Sequence, residues 1–370
     1  MPSPPVLLTL EDYRKYSERN LVKLARDYYE SGAEQEETLR RNVSAFDRLL
    51  IRPRCLRSVE KIDTSVEWLR KVDFPIGIAP TAFQKMATKD GELSTVCGAA
   101  ASKSIMICSS WSTTSIEDIG KEAKIVGATI WFQLYVYKDR KVTESLIHRA
   151  EAAGVEALVL TVDTPVLGRR LKDTYNKFSL PKHLKFANFE SNSQAEMPKG
   201  DTGESGFMQY VSSQIDPSLD WNTLQWIRTK TKLPVIVKGV MRGDDALLAL
   251  GAGVDGIIVS NHGGRQLDSA IATIEALPDV LRAVDKRIPV WMDGGVRNGR
   301  DVFKAVALGA RGVFVGRPVL WGLAALGSSG VAGVLGILQS EFRHALQLSG
   351  YRSVEELQKD DGVLVHASKL

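Results

Sequence analysis

His262 stands three residues before Arg265, with Gly263 and Gly264 between them, at the end of the apolar run 256–260. An imidazole changes its proton state near neutrality, and a guanidinium is a permanent planar cation. On one turn, the two could take a proton from a bound molecule and hold its negative charge. The glycines accept backbone angles that a Cβ resists, so a single turn can aim both side chains at one point. A lone histidine is usually a satisfied turn residue. Here its setting raises the chemical reading.

That setting is a repeated pattern. The run 256–260 reads as a strand buried on both faces, as in a parallel sheet. Seven further apolar runs end in polar or glycine-rich groups: 74–80, 104–110, 129–136, 157–163, 233–239, 289–295 and 312–317. Stretches of helical period separate most of them, among them 140–153, 244–250, 273–284 and 299–308. Eight strands alternating with helices predict an α/β fold, a (β/α)8 TIM barrel whose working residues gather at the strands' carboxyl ends. A doubly wound open sheet is the rival, and the number and evenness of the strands favour the barrel. The expected organisation is one domain over residues 1–370. Residues 1–73 form an N-terminal flank with helical pieces at 10–19 and 21–31, and 74–349 form the barrel. A long insertion after the fourth strand, 164–232, carries a polar lid around 190–206, and 350–370 form a tail.

Composition narrows the function. A net charge of +4 over 370 residues, with no basic stripe interleaved with aromatics, argues against nucleic acid. Met1-Pro2-Ser3-Pro4-Pro5 opens no signal core, and no apolar run is expected to reach membrane-spanning length. Cys55, Cys97 and Cys108 form no CxxC and leave an odd thiol, which suits a reducing compartment, and no metal site is expected. The sequon Asn42-Val43-Ser44 is read as chance.

Gly251-Ala252-Gly253-Val254-Asp255-Gly256 fits the dinucleotide fingerprint GxGxxG, but it follows a helical stretch and opens a strand, the reverse of what pyrophosphate binding needs. A better phosphate site ends the seventh and eighth strands, at Asp293-Gly294-Gly295-Val296-Arg297 and Gly316-Arg317. Two glycine turns with surface arginines are the plain alternative. Such a site would take a phosphorylated substrate or a cofactor. Lys238, inside the apolar run 233–240, needs an anionic partner, which a reduced flavin's N1–C2 edge would supply. Ser109, Gln133 and Thr161 end the second, third and fourth strands and could bond a heterocycle's polar edge. Trp111, Tyr135, Asp163 and Arg170 lie beside them, and Trp111 and Tyr28, with Leu167 and Phe83, are candidate pocket walls.

The segments Asp27-Tyr28-Tyr29, Ala79-Pro80-Thr81-Ala82, Ser109-Ser110-Trp111, Gln133-Leu134-Tyr135, Thr161-Val162-Asp163-Thr164-Pro165, Ser260-Asn261-His262-Gly263-Gly264-Arg265 and Asp293-Gly294-Gly295-Val296-Arg297 together make a specific signature. Through them nearly the whole chain resembles the FMN-dependent 2-hydroxy-acid oxidases, nearest their peroxisomal, glycolate-oxidising branch. The resemblance implies that Pro80, Thr81, Ala82, Ser109, Gln133, Thr161, Lys238 and Ser260 hold the isoalloxazine and ribityl parts of FMN. Asp293, Gly294, Gly295, Val296 and Arg297, with Gly316 and Arg317, would hold the ribityl and phosphate end. It makes His262 the base, Asp163 the support of its imidazolium, and Arg170 and Arg265 the clamp for the substrate carboxylate. Tyr28 would bond that carboxylate and Tyr135 the C2 oxygen. The implied reaction oxidises a short (S)-2-hydroxy acid, best glycolate, with O2 reoxidising the flavin to give H2O2, in a homotetramer or larger assembly. A medium- or long-chain 2-hydroxy-acid or lactate oxidase is the alternative within the family. A barrel aldolase or isomerase acting on a phosphorylated substrate and a non-catalytic flavin scaffold are the alternatives outside it. Ser368-Lys369-Leu370 reads as a peroxisomal address for an import receptor.

Overall fold

The computed structural model describes residues 6–189 and 205–369. Eight parallel strands close a barrel: β1 (Ile76–Ile78), β2 (Met106–Cys108), β3 (Ile130–Leu134), β4 (Leu158–Thr161), β5 (Val235–Val240), β6 (Gly256–Val259), β7 (Val290–Asp293) and β8 (Gly312–Val315). Each pairs in parallel with its sequence neighbours, and β8 pairs with β1. All eight expected runs become these strands, because only residues apolar on both faces can sit between a packed interior and a helical jacket. The fingerprint-like stretch runs from helix Gly243–Gly251 into β6, so it is an ordinary helix-to-strand loop.

The period of two along a strand stacks the interior in layers. Trp131 lies two residues below Gln133, Trp291 below Asp293 and Phe314 below Gly316, so a buried aromatic layer supports the polar strand ends. Trp68, in the turn of the hairpin Val66–Glu67 with Lys71–Val72, closes the layer from the amino-terminal side, with ring centroids 5.1 to 5.9 Å from its three aromatic neighbours.

Among its described residues the flank holds three α-helices, Leu10–Asn20, Lys23–Glu30 and Glu37–Ser44. The segment expected as a tail is built in: helix Val354–Gln358 leads to the strand Leu364–His366, which pairs antiparallel with Leu49–Ile51. Within the insertion after β4 lie the helices Leu171–Tyr175, Gly206–Gln214 and Trp221–Lys230. The lid expectation falls almost wholly on residues outside those described, as does Leu370 of the terminal tripeptide.

One expectation is corrected. Helix Arg317–Ser349 has the length and mean hydropathy, 1.6, to cross a membrane by composition alone. Its apolarity has another use: it packs between helices Glu92–Ala101 and Leu10–Asn20, burying Leu320, Leu323, Val331, Leu335, Leu338 and Phe342. Non-helical angles at Leu326 and Gly327 break it into two shorter rods.

Candidate active site

The strands' carboxyl ends open into a cleft of about 1040 Å3, counted with the space open to solvent. Every strand-end and loop residue expected at the site lines it, along with Tyr28 from the flank, except Asp163 and Ser260. Those two stand one layer back. Ser260, fully buried, donates to Asp293 Oδ1 at 2.6 Å and accepts from Lys238 Nζ and the His262 amide, each at 3.0 Å. It braces cleft residues and does not face the cleft. Lys238 likewise finds its anionic partner within the protein, Asp293 Oδ2 at 3.4 Å. The expectation that it needed a flavin for charge balance is therefore corrected. Of the two further wall candidates, Leu167 lines the cleft, whereas Phe83 is fully buried behind Tyr28, ring centroids 5.5 Å apart.

His262 adopts a left-handed backbone (φ 58°), which turns its ring back over the end of β4. There Nδ1 meets Asp163 Oδ1 at 2.9 Å. A carboxylate at Nδ1 holds the ring proton there and leaves Nε2 as the lone-pair nitrogen. Burial, only partly offset by Asp163 and reinforced by Lys238 and Arg170, lowers the His262 pKa below 6.5, so the ring is neutral at pH 7. Burial pushes the Asp163 carboxyl up, but His262 and Lys238 outweigh it and hold the pKa below the usual value. The dyad is thus an ionised carboxylate beside a neutral imidazole, the resting state of a general base.

The clamp stands opposite. Arg265 Nη1 donates to the Tyr28 and Ser31 carbonyls at 2.7 and 2.8 Å, and its guanidinium carbon lies 4.9 Å from the centre of the Tyr28 ring. Arg170 is 2 % exposed, and burial together with Arg265 brings its pKa down to about 10. Two cations side by side in one cleft, with the buried one held below its usual pKa, are a receptor for an anion. Burial raises the phenols of Tyr28 and Tyr135, keeping both protonated as donors. Trp111 is fixed in the wall by edge contacts with Phe186 and Tyr210 at 5.5 and 5.7 Å.

At the other end of the cleft, Gly294 and Gly295 have φ of 94° and 84°, and a Cβ on Gly295 would lie 1.9 Å from the Asn42 carbonyl oxygen. This glycine lets the flank press against the loop. Helix Gly299–Ala307 starts just beyond, and Arg317 opens the long helix after β8. Arg317 donates to the carbonyls of Tyr29, Gly263 and Ser31, and Arg297 to that of Val296, so these bonds carry no counter-charge. Burial, then Arg265, brings Arg317 down to about 9, and burial lowers Arg297 too.

Residues 17–363 match the model of the FMN-dependent dehydrogenases. The chain belongs to that family. It is 48% identical over 357 residues to 2-hydroxyacid oxidase 1 of Mus musculus, covering 96% of each chain. To glycolate oxidase 1 of Zea mays it is 49% identical over 360 residues, 97% of this chain and 96% of the other. A crystal structure of mandelate oxidase with (S)-4-hydroxymandelic acid superposes with a TM-score of 0.91 at 38% identity, covering 97% and 98% of the two chains.

As a member of this FMN-dependent family, the protein is an oxidoreductase with FMN as its cofactor, and the cleft fits that group. Two half-buried arginines whose hydrogen bonds, among the described residues, go to carbonyls would be balanced by a phosphate, to which the amides of 294–296 and two helix N-termini add partial positive charge. On the other side of the cleft, Gln133 accepts from the Ser110 amide at 3.1 Å and donates to Thr161 Oγ1 at 3.1 Å, a preset polar edge beside Lys238 for the ring system. The sequence reading omitted Tyr29, which lines the cleft next to Tyr28, and Ser31, which anchors both Arg265 and Arg317. Tyr29 carried a signal as the neighbour of Tyr28. Ser31 carried none, because its part is played mainly through its backbone carbonyl, with its hydroxyl accepting from Arg265 at 3.2 Å.

Proposed function

We propose that this enzyme oxidises short (S)-2-hydroxy acids, glycolate best, to 2-oxo acids, with O2 as final acceptor and H2O2 as by-product. The observation that carries the reading is the meeting of the His262–Asp163 dyad with the Arg170–Arg265 pair in one cleft. Arg170 and Arg265 bind the substrate carboxylate and Tyr28 adds a bond to it, while the Tyr135 phenol donates to the C2 oxygen. Held so, the substrate presents C2 and its hydroxyl to His262, whose Nε2 takes the proton, and Asp163 stabilises the imidazolium that forms. FMN, when bound, supplies the two-electron acceptor. The relatives' names support a 2-hydroxy acid, and the aldolase reading has lost its ground because the phosphate site fits the family's cofactor. The aromatic wall at Trp111 supports a small C2 substituent.

The purified protein should be yellow, and glycolate should bleach it anaerobically, faster by specificity constant than lactate or longer 2-hydroxy acids. Preference for 2-hydroxyoctanoate would overturn the choice of glycolate, and inertness to the whole panel would overturn the activity. The resemblance also supports a homotetramer or larger homo-oligomer, to be read by light scattering. Ser368 and Lys369 are exposed, as a receptor-read address must be, and we infer a peroxisomal location. A fluorescent fusion with the tail exposed should form peroxisomal puncta and become diffuse when Leu370 is deleted.

A further inference from the structure

The acid–base dyad and the carboxylate clamp come from two loops, after β4 and after β6, that share no strand pairing; β5 lies between them. One half-buried side chain spans the gap. Gln266 Nε2 donates to the carbonyls of Asp163 and Val166 at 2.8 and 2.9 Å, and its Oε1 accepts from the Gly168 amide at 2.9 Å. Three bonds from one amide thus fasten 163–168 to the loop that carries His262 and Arg265. The contact is close enough to require a glycine: a Cβ on Gly168 would lie 2.2 Å from the Arg265 carbonyl oxygen. That same oxygen receives Arg170 Nε at 3.5 Å. Gln266 therefore touches the backbone of one dyad member, follows one clamp arginine in sequence, and stops two residues short of the other.

We propose that Gln266 is a positioning residue that fixes the spacing of these two loops, each of which carries one member of the proton-accepting dyad and one arginine of the carboxylate clamp. It does not line the cleft, so it acts through the backbone of the groups that do. A fixed spacing matters because the substrate's carboxylate carbon is bonded directly to C2, so an acid seated between the two arginines presents C2 to His262 only while the loops keep their separation. The inference rests on the roles proposed above for His262, Asp163, Arg170 and Arg265.

Gln266→Met keeps the side chain's length and removes all three bonds. Gly168→Ala forces the same loops apart and leaves Gln266 in place. The residues that would hold the phosphate come from the ends of β7 and β8, which neither substitution alters, so each variant should retain FMN. The measurements are anaerobic bleaching by glycolate across pH and the affinity for oxalate, an unreactive dicarboxylate, read from its perturbation of the flavin spectrum. Both variants should bleach more slowly, by about 100-fold for a shift on the order of 1 Å. They should also bind oxalate more weakly and show a displaced pH midpoint for bleaching, because the Asp163–His262 contact changes with its backbone. A role confined to stability would lower the melting temperature and leave the pH midpoint and oxalate affinity as in the parent. That result in both variants overturns the proposal and spares the functional reading. If Gln266→Met fails to fold, Gly168→Ala decides by the same two readouts. A parent enzyme bleached by no 2-hydroxy acid would sink the functional reading and this inference with it.

Discussion

The two ends of the cleft meet charge in opposite ways. At the phosphate end, Arg297 sits in the short loop between β7 and a helix and Arg317 opens the helix after β8, and their bonds to main-chain carbonyls hold them without neutralising them. At the other end, the working groups ride on loops and the flank: His262 on a left-handed turn, Arg170 at the start of a five-residue helix, Tyr28 on Lys23–Glu30. The first end hangs on the last two strands and the helices that follow them, and is suited to a resident group. The second is assembled from pieces distant in sequence and is suited to molecules that come and go. Damage at one end should therefore spare the function of the other.

The sharpest way to break that separation is His262→Gln, which keeps size and polarity but removes the base. Flavin reduction should slow by about 100- to 10,000-fold, with FMN still bound. Loss of FMN from this variant would show that the ends are not independent. Arg317→Met tests the converse: FMN affinity should fall by about 1.5–3 kcal/mol, the value of one charged hydrogen bond, and saturating FMN should restore turnover. Trp111→Leu, at the substrate end, should alter the ratio of specificity constants for glycolate and 2-hydroxyoctanoate by about 1–3 kcal/mol and leave FMN affinity unchanged. Smallest is the pH effect. His262 works unprotonated and burial lowers its pKa, so kcat/KM for glycolate should rise through a midpoint below 6.5 and be level at neutrality. A midpoint above 6.5 would mean that Asp163 outweighs burial.

Lys238 belongs to both ends, since it stands under the ring site and beside the dyad. Lys238→Met should lower the flavin's reduction potential and weaken sulfite binding, both measurable by spectral titration. An unchanged potential in an FMN-replete variant would place the lysine's charge elsewhere. Because Asp293 is its partner at 3.4 Å, the variant also leaves a buried carboxylate uncompensated, which adds to the fall in potential.

The barrel and its strand ends were legible because both follow from local pattern. A strand buried on two faces must be apolar, and the polar residue that ends it marks the working face. Asp163 and His262 stood out for that reason. What stayed hidden depends on where distant segments meet. Ser260 sits in a strand-end motif, but whether it faces the cleft or braces Lys238 depends on the layer it falls in. Ser31 receives the two arginines through its own main-chain carbonyl, and Gln266 bonds to main-chain groups, so their residue types announce nothing. The length of helix Arg317–Ser349 was missed, and its apolarity marks a buried core helix as well as a membrane span.

The pairing of Leu49–Ile51 with Leu364–His366, and the pressing of Asn42 against Gly295, set an order of events during synthesis. Tyr28, Tyr29 and Ser31 leave the ribosome early, yet the loops they complete are translated more than 200 residues later. Contacts so far apart in sequence form slowly, since a long loop must close first. The cofactor site can therefore close only when translation is almost finished, and a nascent chain halted before β8 should be unable to capture FMN however complete its substrate clamp.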